Sequence, residues 1–164
     1  MPSTHKAEVT LPSDTEILVI RNFDAPPALV YRAFIEPALV KRWMLGPPGW
    51  SMPVCEIDYR IGGKYHYRWR NEADGNEFGL TGVFEEIEPE KTLNSRERFE
   101  DTTLEDEAHI ATSFRPNGAG TRVVYLITSE SKEARDKALA TGMTDGMELS
   151  FQLLDKVLAE MRVH

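Results

Sequence analysis

A chain of 164 residues, 41% hydrophobic and 28% charged, holds apolar material for one filled core and too little length for two ordinary domains. With 27 acidic against 19 basic residues and a formal charge of -8, its mean field repels a polyphosphate backbone, which argues against nucleic acid as a partner. A single cysteine, Cys55, excludes an intrachain disulfide and fits a cytoplasmic setting.

The first fourteen residues, "MPSTHKAEVTLPSD", lack the apolar stretch of a signal peptide and read as a loose tail preceding one domain over 15–164. No later run approaches the ~18 uninterrupted apolar residues of a membrane span, so membrane insertion is not expected. "EILVIRNF", residues 16 to 23, is β-branched and apolar and predicts a strand. "DAPP" then places prolines where a helix begins, and Pro37 ends that helix and starts a second one that stops near Trp43. "LGPPGW" forces an irregular loop.

From 51 to 129 short β-rich runs alternate with turn signals: "GG" at 62–63, "ADGN" at 73–76, "EPEK" at 88–91, "DTTLED" at 101–106 and "PNGAG" at 116–120. Five turns predict six strands in an antiparallel meander, curved by its glycines. "SESKEARDKALATG" has the look of another short helix. In the terminal segment, Met143, Met147, Phe151, Leu154, Leu158 and Met161 recur at helical spacing, with Gly146, Leu149, Leu153 and Val157 as a second apolar row. Together the rows span roughly 200°, wider than the ~100° a surface helix needs, so the helix is expected to lie in the trough of a bent sheet. Gly146 is expected at a close backbone approach.

"DYRIGGKYHYRW" contains Gly63-Lys64 but continues into Tyr65 and a strand, so it is no P-loop. Two glycines there fit a tight turn with positive φ. After them Tyr65, Tyr67 and Trp69 share one face, and Lys64, His66, Arg68 and Arg70 the other, which reads as a solvated row opposite acidic residues such as Glu85. On the next strand Gly82 shares a face with Leu80 and Phe84, and it reads as a gap in the wall.

The stretches "RNFDAPPALVYRAF", "VKRW", "GPPGW", "DYRIGGKY", "GVFEEIEPEK", "GTRVVY" and "TGMTDGMELSFQLLDKVLA", in that order and spacing, resemble the START-like SRPBCC superfamily. More narrowly they resemble the branch related to the C-terminal domain of activators of the heat shock protein 90 ATPase. The resemblance covers about residues 16 to 160. It implies an α+β helix-grip fold: a seven-stranded curved antiparallel sheet and two short helices, with a long C-terminal helix enclosing a cavity. The full activators carry a further N-terminal domain for which this chain has no room, and Trp43 is followed by Met44 where many relatives have a second tryptophan.

His66 and His109 lie on separate predicted strands without ligand-spaced neighbours, so no metal and no cofactor are expected. G-x-S-x-G is absent, and Cys55 reads as a small buried thiol. No residue is assigned as catalytic. Glu97 is the one acidic candidate, because it shares the parity of Leu93, Ser95 and Phe99; an outward bulge or an internal bridge to Arg21 is the plainer alternative. Of Trp43 and Trp50, one is expected to anchor packing and either one to lid the trough.

The leading expectation is binding of a small hydrophobic or aromatic molecule by Trp43, Tyr65, Tyr67, Trp69, Phe84, Ser95, Glu97, Phe99, Met143, Met147 and Phe151. The alternatives are a cyclase- or hydratase-like enzyme acting on a polyketide-like substrate through Glu97, Tyr67 and Ser95, and a module that binds a chaperone. Both a monomer and a homodimer fit the sequence.

Overall fold

The computed structural model describes residues 5–104 and 106–163. Eight strands form one antiparallel sheet: β1 (Glu8–Thr10), β2 (Glu16–Phe23), β3 (Trp50–Ile57), β4 (Lys64–Asn71), β5 (Glu77–Glu88), β6 (Thr92–Glu100), β7 (Ala108–Asn117) and β8 (Gly120–Thr128). Their order is β1-β2-β8-β7-β6-β5-β4-β3, so β2 extends the β3–β8 meander by pairing with β8, and β1 and β3 are the edges. Four helices accompany it: α1 (Pro27–Ile35), α2 (Pro37–Trp43), α3 (Lys132–Ala140) and α4 (Met143–Val163). This is the helix-grip architecture, with one strand more than the expected seven.

The additional strand is β1. It pairs with β2 through Val9 opposite Val19, and the Ala7 N–H just before it donates to Glu148 at 2.7 Å. Part of the segment expected as a loose tail is therefore an edge strand; residues 1–4 lie outside the described residues. Three residues are too few to show an alternating signature in the sequence, and Val9 and Leu11 remain exposed.

Local chemistry accounts for the other boundaries. Pro26 is extended before α1, Pro27 takes the first helical turn, and Pro37 begins α2 immediately after α1 is capped at Glu36. The Ser131 side chain caps α3 by accepting from the Ala134 N–H at 3.0 Å. Gly142, at φ +81°, ends that segment before α4 starts. In β2 every second residue is buried, which directs Ile17, Val19, Arg21 and Phe23 inward.

The β3–β4 connection is longer than a two-residue turn. Only Gly62 has positive φ; an added Cβ on Gly63 would overlap the Asp58 carbonyl. Gly62 N–H donates to the Phe84 carbonyl at 2.7 Å and Phe84 N–H to the Gly63 carbonyl at 3.0 Å, so the loop folds back onto β5. That carries Tyr59 to Tyr31, whose hydroxyls bond.

α4 buries Ser150, Phe151, Leu154, Val157 and Leu158. Leu149 and Leu153 are only half-buried, and nothing lies near the position of a Cβ on Gly146, so the close approach expected there does not occur. What pins the helix instead is polar. Arg21, 1% exposed, donates Nη2 to Asp155 at 2.7 Å and Nε to Glu148 at 3.1 Å, and its guanidinium lies 4.9 Å from the centre of the Phe23 ring. Glu148 and Asp155 stand outside the two apolar rows of α4, and the inward Arg21 holds both.

Candidate functional site

The registers put one continuous row of side chains on the inner face. Across β4, β5 and β6, Tyr65 is opposite Gly82, which is opposite Glu97; Tyr67 is opposite Leu80, which is opposite Phe99; Phe84 is opposite Ser95. Gly82 is not an empty gap. The Tyr65 ring lies over it, and a Cβ there would overlap ring atoms Cζ and Cε1 and the hydroxyl. Because Gly82 has no side chain, Tyr65 reaches across β5 to β6, its hydroxyl 2.6 Å from Glu97 Oε2 and 2.9 Å from Ser95 Oγ. A phenol has one proton to give. With Glu97 ionised, Ser95 donates to Tyr65 and Tyr65 donates to Glu97.

Glu97 therefore faces inward, and the alternative bridge to Arg21 is not made, since Arg21 is held by Glu148 and Asp155. Burial pushes the Glu97 carboxyl above the usual carboxylate range, and the Tyr65 hydrogen bond opposes this only in part. The Tyr65, Tyr67 and Tyr125 phenols are all raised, first by burial and then by nearby charge, Glu97 contributing in each.

Two further hydroxyls complete the cluster. Tyr125 on β8 faces inward opposite Thr112; the sequence reading missed it, although the parity of Thr121, Val123 and Ile127 marks the same face. Among the described residues, neither the Tyr67 hydroxyl, the Tyr125 hydroxyl nor Glu97 Oε1 has a hydrogen-bond partner, and none of these atoms is sealed from solvent. These polar atoms lie within the fold and yet remain open to water-sized space.

The expected lining divides into two parts. Trp43 and Phe151, each 1% exposed, belong to a sealed end: Trp43 Nε1–H donates to the Ala33 carbonyl at 2.8 Å, and Phe151 stacks between Trp43 and Tyr125 with its edge on Phe23. Trp43 is thus the packing anchor and no lid. Phe84 is also covered, by Tyr65 and Tyr59. Ser95 is buried and occupied by Tyr65. Trp69, Glu97, Phe99, Met143 and Met147 keep accessible surface beside the core, as does Tyr125. Phe78, a residue the reading did not single out, stacks on Trp69 at 5.1 Å and meets Phe99 and Trp50. The Trp69 Nε1–H donates to the Met44 carbonyl at 2.7 Å, tying this wall to the loop after α2.

The outer row differs from expectation in its partners. Glu85 bonds Arg96 at 2.9 Å on β6, whereas Arg68 reaches Glu77, Glu100 and Asp101, and His66 lies 2.7 Å from Glu100. β4 ends with Lys64 opposite Val83, so Glu85 lies beyond its row, and the bulge between Phe84 and Glu86 falls in the pairing with β6. A groove of about 320 Å3 is lined by Glu85, Glu86, Asn94, His109, Ala111, Leu126 and Thr128 of the outer face, with Ser95 and Ile110. Among the described residues no group of three or more His, Cys, Asp or Glu is arranged to hold a metal, and no helix is long and apolar enough to cross a membrane. Cys55 faces inward beside Tyr67, its thiol pushed up to about 11 by burial, with the charge of Lys41 acting in the opposite direction.

Residues 24–159 match the family model described as activator of Hsp90 ATPase homolog 1-like protein. The chain belongs to that family. A crystal structure from Rhodobacter sphaeroides is similar to this Hsp90-activator-homolog-like domain with a TM-score of 0.88 and 28% identity, over 94% of this chain and 99% of that one. A solution structure from Arthrobacter aurescens is similar at 0.82 and 26%, over 93% and 91%. A Nitrosomonas europaea structure, at 0.80 and 24% over 94% and 100%, shares the fold. No curated protein matches the chain.

Proposed function

We propose that this Hsp90-activator-homolog-like domain binds a small hydrophobic or aromatic molecule between α4 and the inner face of β4 to β8. The observation that carries the reading is the set of unpartnered, solvent-reachable polar atoms, Tyr67 and Tyr125 hydroxyls and Glu97 Oε1, inside an aromatic wall. Polar atoms that the protein leaves unpaired but that solvent can reach are available to be satisfied by water or by a guest. Few apolar ligand sites lack such convergent polar groups. Titration with the neutral dye Nile red, read by fluorescence, is expected to saturate at one site per chain. Met147→Trp, which adds bulk on the α4 side, is expected to abolish binding while circular dichroism and the unfolding midpoint stay near wild type. Undiminished binding in a folded Met147→Trp protein would remove the site.

A second reading has its own support. Glu97 combines raised proton affinity with a short hydrogen bond to Tyr65 and a free oxygen, which are the attributes of a general base for cyclisation or hydration of a polyketide-like substrate. Turnover of a β-polyketone model compound that is lost in Glu97→Gln would favour it over binding alone.

A further inference from the structure

The inner face carries a charge imbalance that narrows the class of guest. On the inward rows of the described strands the only cationic side chain is Arg21, and it is already engaged by Asp155, Glu148 and the Asn22 carbonyl. Glu97 is the inward carboxylate left without a cationic partner among the described residues, and its Oε1 is open. Around it stand electron-rich rings: Tyr65 and Tyr67 with centroids 5.2 Å apart, Trp69 at 5.9 Å from Tyr67, and Tyr125 across the trough. Ring faces attract cations, more strongly where water is displaced. An anionic head, by contrast, would meet Glu97 with nothing to neutralise it.

Resting on the binding reading above, we propose that the guest is an apolar or aromatic amine whose protonated nitrogen sits against Glu97 Oε1 and the Tyr67 and Tyr125 hydroxyls. The Ser95–Tyr65–Glu97 relay supports this assignment. Ser95 donates to the Tyr65 hydroxyl and Tyr65 donates to Oε2 from one side, so the carboxylate is held ready to accept from the other. An ammonium brings three donors, matching one carboxylate oxygen and two phenolic oxygens, each of which can accept. A neutral alcohol brings one donor and leaves the charge unpaired.

The test is displacement of Nile red by three compounds of one skeleton: naphthylmethylamine, naphthylmethanol and naphthoate. In wild-type protein at neutral pH the amine is expected to displace the dye at a concentration at least about tenfold below the alcohol, with naphthoate weakest. In Glu97→Gln, which keeps the shape and the Tyr65 hydrogen bond, the amine is expected to weaken by at least about tenfold and the alcohol by less than about threefold. Should Glu97→Gln fail to fold, Glu97→Asp carries the same comparison with the carboxylate withdrawn by one methylene. An alcohol or naphthoate as tight as the amine, or an amine preference intact without Glu97, overturns the amine assignment and leaves the site standing. Wild-type protein that is folded yet binds no dye overturns both.

Discussion

Tyr65 crosses the whole width of β5 because Gly82 offers it no obstacle, and its hydroxyl thereby joins two residues of β6. Gly82→Ala is therefore expected to act through Tyr65. The ring is flanked by Tyr67 and Phe84 and cannot swing away freely, so a cost of about 1–3 kcal/mol is expected in urea unfolding. In a Tyr65→Ala background the same substitution should cost less than about 1 kcal/mol. A Gly82→Ala penalty unchanged without the ring would show that the backbone, and not Tyr65, is what the glycine serves.

Gly146 gives the opposite expectation. It is a helix-interior glycine with open space where a Cβ would go. Gly146→Ala should raise stability by about 0.5–1 kcal/mol, seen as a higher thermal midpoint. A lower midpoint would mean that α4 needs the glycine for another reason.

Arg21 should be among the residues least tolerant of change. Arg21→Met leaves Glu148 and Asp155 facing a buried void of charge and is expected to cost about 3 kcal/mol, at the lower end for a broken buried pair because both acids keep some contact with solvent. The acids respond differently to the same guanidinium. Burial raises both, but at Glu148 the combined hydrogen bonds from Arg21, the Ala7 N–H and Gln152 prevail and hold it low, whereas at Asp155 burial prevails and leaves it raised. Adding Glu148→Gln to Arg21→Met should recover part of the loss in the same unfolding assay.

Glu97 imposes a pH dependence of known sign. Its carboxyl is raised in the folded state, so between the ordinary carboxylate value and the raised one the folded protein holds more protons than the unfolded chain. Stability contributed at this position falls as pH climbs through that window and is constant above it. The groups around Glu97 do not confuse the reading: Tyr65 and Tyr67 on β4, Tyr125 on β8 and, beyond Tyr67, Cys55 on β3 all titrate at higher pH. Glu97→Gln should thus gain on wild type steadily as pH rises across the window, measured by unfolding midpoints at several pH values. A constant difference would place the carboxyl in water.

The sequence made the strands and helices legible where periodicity was long or punctuation strong. β2 was marked by its β-branched run, α1 and α2 by Pro27 and Pro37, and the inward row of β4 by strict alternation after Gly63. Glu97 was legible by parity with Ser95 and Phe99. What parity cannot carry is reach across strands: nothing local in "KYHYRW" says that Tyr65 passes over a glycine of β5 to a partner two strands away. Nor does helical spacing alone foretell that Glu148 and Asp155 turn toward a buried arginine on the first long strand. The division of the aromatic set into a sealed end at Trp43 and Phe151 and an open one at Trp69 and Phe99 depends on where α2 docks, which no single segment encodes.

The pairing of β2 with β8 also bears on how the chain acquires its shape. Glu16 has its mate at Thr128, so β2 stays without a hydrogen-bonded neighbour on that side until β8 has been synthesised. Loop-closure entropy on that scale slows assembly, toward the milliseconds-to-seconds regime on the order typical of non-local β pairing. Meanwhile Ile17, Val19 and Phe23 lack their final packing and stay available to wrong partners.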